Sequence, residues 1–277
     1  MRLINLDGRL AFLLGDKAVD VEKASAGQLS SDPNYMFEQW EAMLDLSQSI
    51  FPSSATPFDR DKVRTPIEAP KQIFAVALNY KPHAAEAGYT APDQPLIFTK
   101  FVSSLTGAYA EVPLPEGNVD WEVELVAVVG KYTYKATAAE GWDSIAALTV
   151  GQDLSERVSQ LAGRPAQFSL GKSFPGFGPV GPALVSVDEV QNRDNLEVKT
   201  VLSGQTMQLD RTSNMIFPVN VLVEFLSATC PLYPGDLIFT GTPAGVGNRM
   251  DPQRFIQPDD VLVTTIEGIG EMVNTFR

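Results

Sequence analysis

The chain has 277 residues, with 34 acidic against 21 basic side chains and a single histidine, for a formal charge of −13. That balance excludes general binding to nucleic acid, which needs clustered Lys and Arg against phosphate, and to anionic membrane surfaces. An anionic substrate must therefore be captured by a local site. No apolar run approaches the ~18 residues of a membrane span. The lone cysteine, Cys230, rules out an intramolecular disulfide and fits a reducing compartment. The opening Met1-Arg2-Leu3-Ile4-Asn5-Leu6-Asp7-Gly8 turns polar too early for a secretory signal, so the expectation is a cytoplasmic protein.

Leu3 to Leu6 and Leu10 to Leu14 flank Asp7-Gly8, a hairpin-type turn, and Gly15-Asp16 makes a second turn before Ala18-Val19-Asp20-Val21. Met36, Trp40, Met43, Leu44, Leu46 and Ile50 recur at helical spacing. These segments read as a small separate N-terminal unit, and the Pro- and Ser-rich stretch 52–70 as a linker, which divides the chain into 1–68 and 69–277. Further on, strands are expected at Ile73–Leu78, Glu122–Val129, Val198–Leu202, Leu237–Thr240 and Val261–Ile266. Helices are expected from Pro82, after Ser155, and from Pro218 with Val221, Leu222, Phe225 and Leu226 on one face. The pattern predicts an all-β or α+β, in either case mainly β, core of sandwich type without alternating βαβ units.

Alternation along Asp120-Trp121-Glu122-Val123-Glu124 puts Glu122 and Glu124 on one face of a strand. Asp153 ends an apolar stretch and supplies a third acid. With no second His or Cys nearby, such a set suits Mg²⁺ or Mn²⁺ better than zinc. If Pro82 opens a helix, His83 and Glu86 are three apart and share a face; the carboxylate orients the imidazole and leaves its other nitrogen as a base. Lys172 sits in a Gly/Pro-rich segment between apolar residues, where it can hold an oxyanion or enolate. Gly171-Lys172-Ser173 is not the tail of a P-loop, because Ala166 stands where that motif needs glycine. The turn Thr240-Gly241-Thr242-Pro243-Ala244-Gly245-Val246-Gly247 can bind an anion, with the Thr242 hydroxyl adding a donor. Arg157 and Gln160 follow Asp153 on a short helix, and Arg157 can grip a carboxylate. Singly, each has a plainer reading: solvated strand glutamates, a capping aspartate, an exposed His–Glu pair, a loop lysine, a surface ion pair, a turn without a ligand.

Taken in order, these segments resemble the fumarylacetoacetate hydrolase family from about Ile73 to the C-terminus. The resemblance implies a mixed β-sandwich roll that forms a homodimer, with residues 1–68 matching a small accessory domain. It implies Mg²⁺ or Mn²⁺ on Glu122, Glu124 and Asp153, a His83–Glu86 dyad on a lid helix, and Lys172 stabilising an enolate. It places a substrate carboxylate near Thr242 and its turn, and Arg157 and Gln160 near the substrate. Many members continue the aspartate motif with Arg-Asp, whereas here Arg157 is followed by Val158.

The activity so implied is hydrolysis of a carbon–carbon bond in a 2,4-diketo acid of acylpyruvate or fumarylpyruvate type. His83 would activate the water, and a pyruvate enolate would leave. Oxaloacetate decarboxylation or isomerisation of a 2-oxo-enoate (hydroxymuconate-type) acid would use the same residues. A catalytically idle binding module is the alternative of another class. Tyr80 is expected among the substrate-binding residues, with specificity set by the lid and the loops near Tyr80, Phe174 and Phe177.

Overall fold

The computed structural model describes residues 1–88 and 90–277. Two sheets dominate. The larger is 12-stranded and runs through Lys17–Asp20, Arg9–Leu14, Arg2–Leu6, Gly178–Ser186, Ile145–Gln152, Val123–Val129, Leu237–Phe239, Ile73–Ala77 and Leu96–Thr99. The smaller, five-stranded sheet orders Gln205–Arg211, Glu197–Leu202, Val261–Ile266, Gly270–Phe276 and Glu111–Val112. Most pairings are antiparallel, and Leu237–Phe239 joins Ile73–Ala77 in parallel. The fold is α+β and mainly β, as expected.

The strand Val123–Val129 shows how the layers are made. It is buried on both faces. Its residues Val123, Leu125, Ala127 and Val129 enter one core, shared with the helix Val219–Ser227. Val126 and Val128 enter the other core, with Leu3, Phe12, Trp40, Phe98 and Phe239. This is the two-residue period of a strand. It places Glu124 on the Val126–Val128 side, at the end of the strand nearest the loops.

The N-terminal segment departs from the expected separate unit. The hairpin forms as predicted, with Asp7 and Gly8 both at positive φ. Its first strand, however, pairs antiparallel with Gly178–Ser186, so residues 2–20 extend the large sheet. The stretch expected as a linker contributes Thr56–Pro57 beside Lys17–Asp20 and Val63–Arg64 beside Arg2–Leu6. A Pro/Gly-rich segment also hid the strand Gly178–Ser186, because Pro179 and Pro182 read as loop punctuation. Ser155 belongs to a two-residue strand, and Glu156 caps the turn Arg157–Gln160 through bonds from Val158 and Ser159 N–H. On the helix Val219–Ser227 the buried stripe is Val219, Leu222, Val223 and Leu226; Val221 and Phe225 are only half-buried.

Because residues 1–20 share the sheet and the second core, Leu3→Ala should destabilise the whole molecule by about 2–5 kcal/mol. Far-UV circular dichroism and amide exchange should show one cooperative transition. A separate, earlier melting of residues 1–68 would contradict the continuity of the sheet.

Candidate active site

The site forms where Val123–Val129 and Ile145–Gln152 end side by side. Glu124 faces Gly151 across the pair. A Cβ on Gly151 would come within 2.5 Å of Val126 and 2.9 Å of Phe239, so the glycine lets the strands and the Phe239 ring close up behind the acids. Glu122, Glu124 and Asp153 are all buried, and each offers an oxygen within 4.8 Å of the others. The two-residue alternation put Glu122 and Glu124 on one face; Asp153 joins them here from the end of the next strand.

Three buried bases surround these acids. Lys172 Nζ donates to Glu122 Oε2 at 2.7 Å and to Asp153 Oδ2 at 2.6 Å. Arg157 bridges Asp120 Oδ2 at 2.7 Å and Glu122 Oε1 at 2.8 Å, and donates to Gln160 Oε1 at 2.7 Å. Lys100, which sequence reasoning missed, donates to Asp153 Oδ1 at 2.6 Å and to the Lys172 carbonyl. Its only sequence signal is a lysine closing the apolar run Leu96-Ile97-Phe98-Thr99. Four acids (Asp120, Glu122, Glu124, Asp153) thus stand against three bases (Lys100, Arg157, Lys172). Among the described residues, Glu124 has no basic partner, and its recorded bond is from Gly241 N–H at 2.7 Å.

The ionisation of these groups follows their neighbours. Burial opposes the charge on Glu122, but Lys172 and then Arg157 outweigh it and hold its pKa down to about 2. Burial pushes Glu124 well above the ordinary carboxylate value, and the charges of Asp153 and Glu122 push it further. Burial lowers Lys100, with Asp153 only partly compensating. In Lys172 burial also favours the neutral form, yet Asp153 and Glu122 carry it above the usual lysine value.

His83 and Glu86 lie on the helix Lys81–Glu86, which begins one residue before the expected Pro82, with His83 Nδ1 3.0 Å from Glu86 Oε2. With Nδ1 donating to the carboxylate, Nε2 is the free basic atom. The other Glu86 oxygen accepts from Gly245 N–H at 2.9 Å, which ties the helix to the glycine-rich turn. That turn is held again by Asp120, which accepts from Gly247 N–H at 2.7 Å and Asn248 N–H at 2.9 Å. A Cβ on Gly247 would stand 1.9 Å from the Arg254 carbonyl, so the turn closes only with glycine there. Thr242 Oγ1 accepts from Gln208 Nε2 at 2.8 Å, which leaves its own proton free.

A cavity of about 440 Å³ opens on this cluster, and its lining includes His83, Glu122, Arg157, Gln160, Lys172 and Thr242. Leu96, Ile97, Phe98, Leu161 and Phe168 give it an apolar wall. Three expectations change. Tyr80 does not line the cavity: it is fully buried in the first core, its hydroxyl unpartnered. Arg157 is not free to grip a substrate carboxylate, because Asp120 and Glu122 already occupy its guanidinium. Phe174 and Phe177 pack against each other with their rings tilted at 47°, and Phe177 is buried in a third core away from the lining.

Lys100→Met would leave Asp153 Oδ1 and the Lys172 carbonyl without their buried donor. Breaking a buried pair costs about 3–5 kcal/mol. Arg9→Met, which removes a surface pair with Asp20 and Glu22, should cost a small fraction of that. Urea unfolding of the two variants measures the difference, and equal losses would contradict the role given to Lys100.

The Fumarylacetoacetate (FAA) hydrolase C-terminal family model matches residues 72–277. A Dictyostelium discoideum homolog of fumarylacetoacetate hydrolase domain-containing protein 2 is 35% identical over 97% of this chain and 92% of its own. The human mitochondrial oxaloacetate tautomerase FAHD2A is 36% identical over 86% of this chain and 77% of its own. A Mycobacterium smegmatis crystal structure bearing the HpcE name superposes with a TM-score of 0.92 at 48% identity, covering 100% of this chain and 99% of that one. The chain belongs to the fumarylacetoacetate hydrolase family of enzymes.

Proposed function

We propose that the protein interconverts the keto and enol forms of a small 2-oxo acid, with His83 as the proton carrier and a divalent ion in the acid cluster. The observation that carries this reading is a single oriented base, His83, in the lining of a cavity that also holds Lys172. Relocating one proton between carbon and oxygen needs little more than a base and a site that stabilises the enolate. The similarity to a relative named as an oxaloacetate tautomerase supports the choice.

The residues fit such an ion. Glu122, Glu124 and Asp153 offer an all-oxygen set, which suits Mg²⁺ or Mn²⁺, and among the described residues Glu124 is the one acid of the cluster without a basic partner. When bound, such an ion supplies Lewis acidity toward a 2-oxo group. The chain's own groups do the rest. His83 Nε2 takes the proton from the carbon next to the 2-oxo group and delivers it to the oxygen, or the reverse. Glu86 stabilises the imidazolium formed between those steps. Lys172 has three N–H bonds; Glu122 and Asp153 take two, and the third is left for the developing enolate oxygen. Thr242, with its oxygen occupied by Gln208, turns its proton to a substrate carboxylate. The homodimer implied by the family resemblance stands with this reading as a proposal.

Hydrolysis of an acylpyruvate is the second reading. The apolar wall of Leu96, Ile97, Phe98 and Phe168 favours it, because an acyl tail would bury against those side chains. His83 would then deprotonate a water instead of a carbon.

The test follows the enol absorbance and proton NMR spectrum of oxaloacetate, and the fate of acylpyruvates, with Mg²⁺ and with EDTA. The proposal expects faster keto–enol exchange, lost with EDTA and reduced roughly 10²–10⁴-fold in His83→Ala. Pyruvate and a second carboxylic acid from acylpyruvates, with no effect on oxaloacetate, would replace it with the hydrolase reading. An unchanged rate in His83→Ala would remove that residue from the mechanism.

A further inference from the structure

The Lys and Arg side chains lining the cavity are Lys172, Arg157 and Arg249. The first two are engaged. Lys172 is held by Glu122 and Asp153, and Arg157 by Asp120 and Glu122. Arg249 differs. Its backbone N–H bonds to the Val246 carbonyl at 3.1 Å, but among the described residues its guanidinium pairs with no carboxylate and donates no hydrogen bond.

The backbone that carries Arg249 is fixed. Asp120 accepts from Gly247 and Asn248 N–H, and Trp121 Nε1 donates to the Gly245 carbonyl at 3.1 Å. Arg249 therefore leaves an anchored turn with a free planar fork at its end. Asn248, also in the lining, accepts at Oδ1 from Gln253 at 3.1 Å, which leaves its amide N–H₂ as a donor. Contacts run from Glu122 to Arg157, to Asp120, to Asn248 and so to Arg249. Among the described residues, Arg249 makes no ion pair with the acids that would hold the ion, whose partners are Arg157, Lys172 and Lys100. An unpaired guanidinium with an amide donor next to it in the chain suits a carboxylate, which an arginine grips bidentately.

We propose that Arg249, assisted by Asn248, reads a second carboxylate at the far end of the substrate, which makes the substrate class a 2-oxo diacid. The proposal rests on the reading of the site as one for 2-oxo acids. It assigns the distal recognition to Arg249, since Arg157 is already taken by the protein's own acids.

Calorimetric titration tests it with two five-carbon probes, 2-oxoglutarate and 2-oxopentanoate, which differ in the terminal carboxylate. Both are titrated into the Mg²⁺-loaded protein, its Arg249→Met variant and its Arg249→Lys variant. The expected result is tighter binding of 2-oxoglutarate by the unmodified protein. That preference should fall about tenfold or more in Arg249→Met, the worth of a charge-assisted hydrogen bond. Arg249→Lys, which keeps the charge without the fork, should retain part of it. Because the preference is a ratio on one sample, a partly unfolded variant does not imitate its loss. Equal affinities in the unmodified protein, or a preference that survives Arg249→Met, would overturn the role of Arg249 alone. Binding of neither acid would overturn the 2-oxo acid reading and this proposal with it.

Discussion

The structure is organised around one electrostatic constraint: four carboxylates and three cations buried together at the end of the central strands. Isolated charges cannot remain in such a place, since each loses several kcal/mol of hydration, so they persist only by pairing. Asp120, Glu122 and Asp153 find partners in Arg157, Lys172 and Lys100. Among the described residues Glu124 finds none, and burial with two acidic neighbours makes its ionisation costly. A divalent ion would reverse the sign of that imbalance, and an incoming carboxylate would then bring the cluster close to neutral.

The same cluster fixes the mobile-looking parts of the sequence. Asp120 accepts from both Arg157 and the backbone of the turn after Thr242, so one carboxylate ties the cationic floor to the loop above it. Glu86 does the equivalent for the helix, orienting His83 with one oxygen and holding Gly245 with the other. Gln208 joins the second sheet to the site by supporting Thr242, the Pro243 carbonyl and the Val123 N–H. His83, Lys172 and Thr242 thus come from separate segments but share one hydrogen-bonded frame. Their relative positions are set before substrate arrives, which is what electrostatic catalysis requires.

What the sequence made legible was local. The two-residue alternation of Glu122 and Glu124 and the three-residue spacing of His83 and Glu86 are properties of a strand and a helix, readable without tertiary contacts. The hairpin at Asp7-Gly8 was legible for the same reason. Lys100 was not, because its partner Asp153 is 53 residues away and no spacing rule connects them. Arg157 was read as free because Asp120 is 37 residues distant, although both had been singled out as segments. Tyr80 shows the converse error. Its motif suggested a polar role, while its bridge to Met215 and the first core took the ring out of the cavity wall. The strand Gly178–Ser186, and with it the docking of the N-terminal hairpin, was concealed by its prolines.

The measurement that tests the charge argument most directly is a Mn²⁺ titration by calorimetry in two buffers of different ionisation enthalpy, repeated with Glu124→Gln. Without an ion, Glu124 retains its proton to a higher pH than an ordinary carboxylate. The account therefore predicts that binding displaces up to about one proton per ion, that this release dwindles as the pH rises, and that Glu124→Gln loses most of the affinity. Binding without proton release at low pH, together with unchanged affinity in Glu124→Gln, would contradict it.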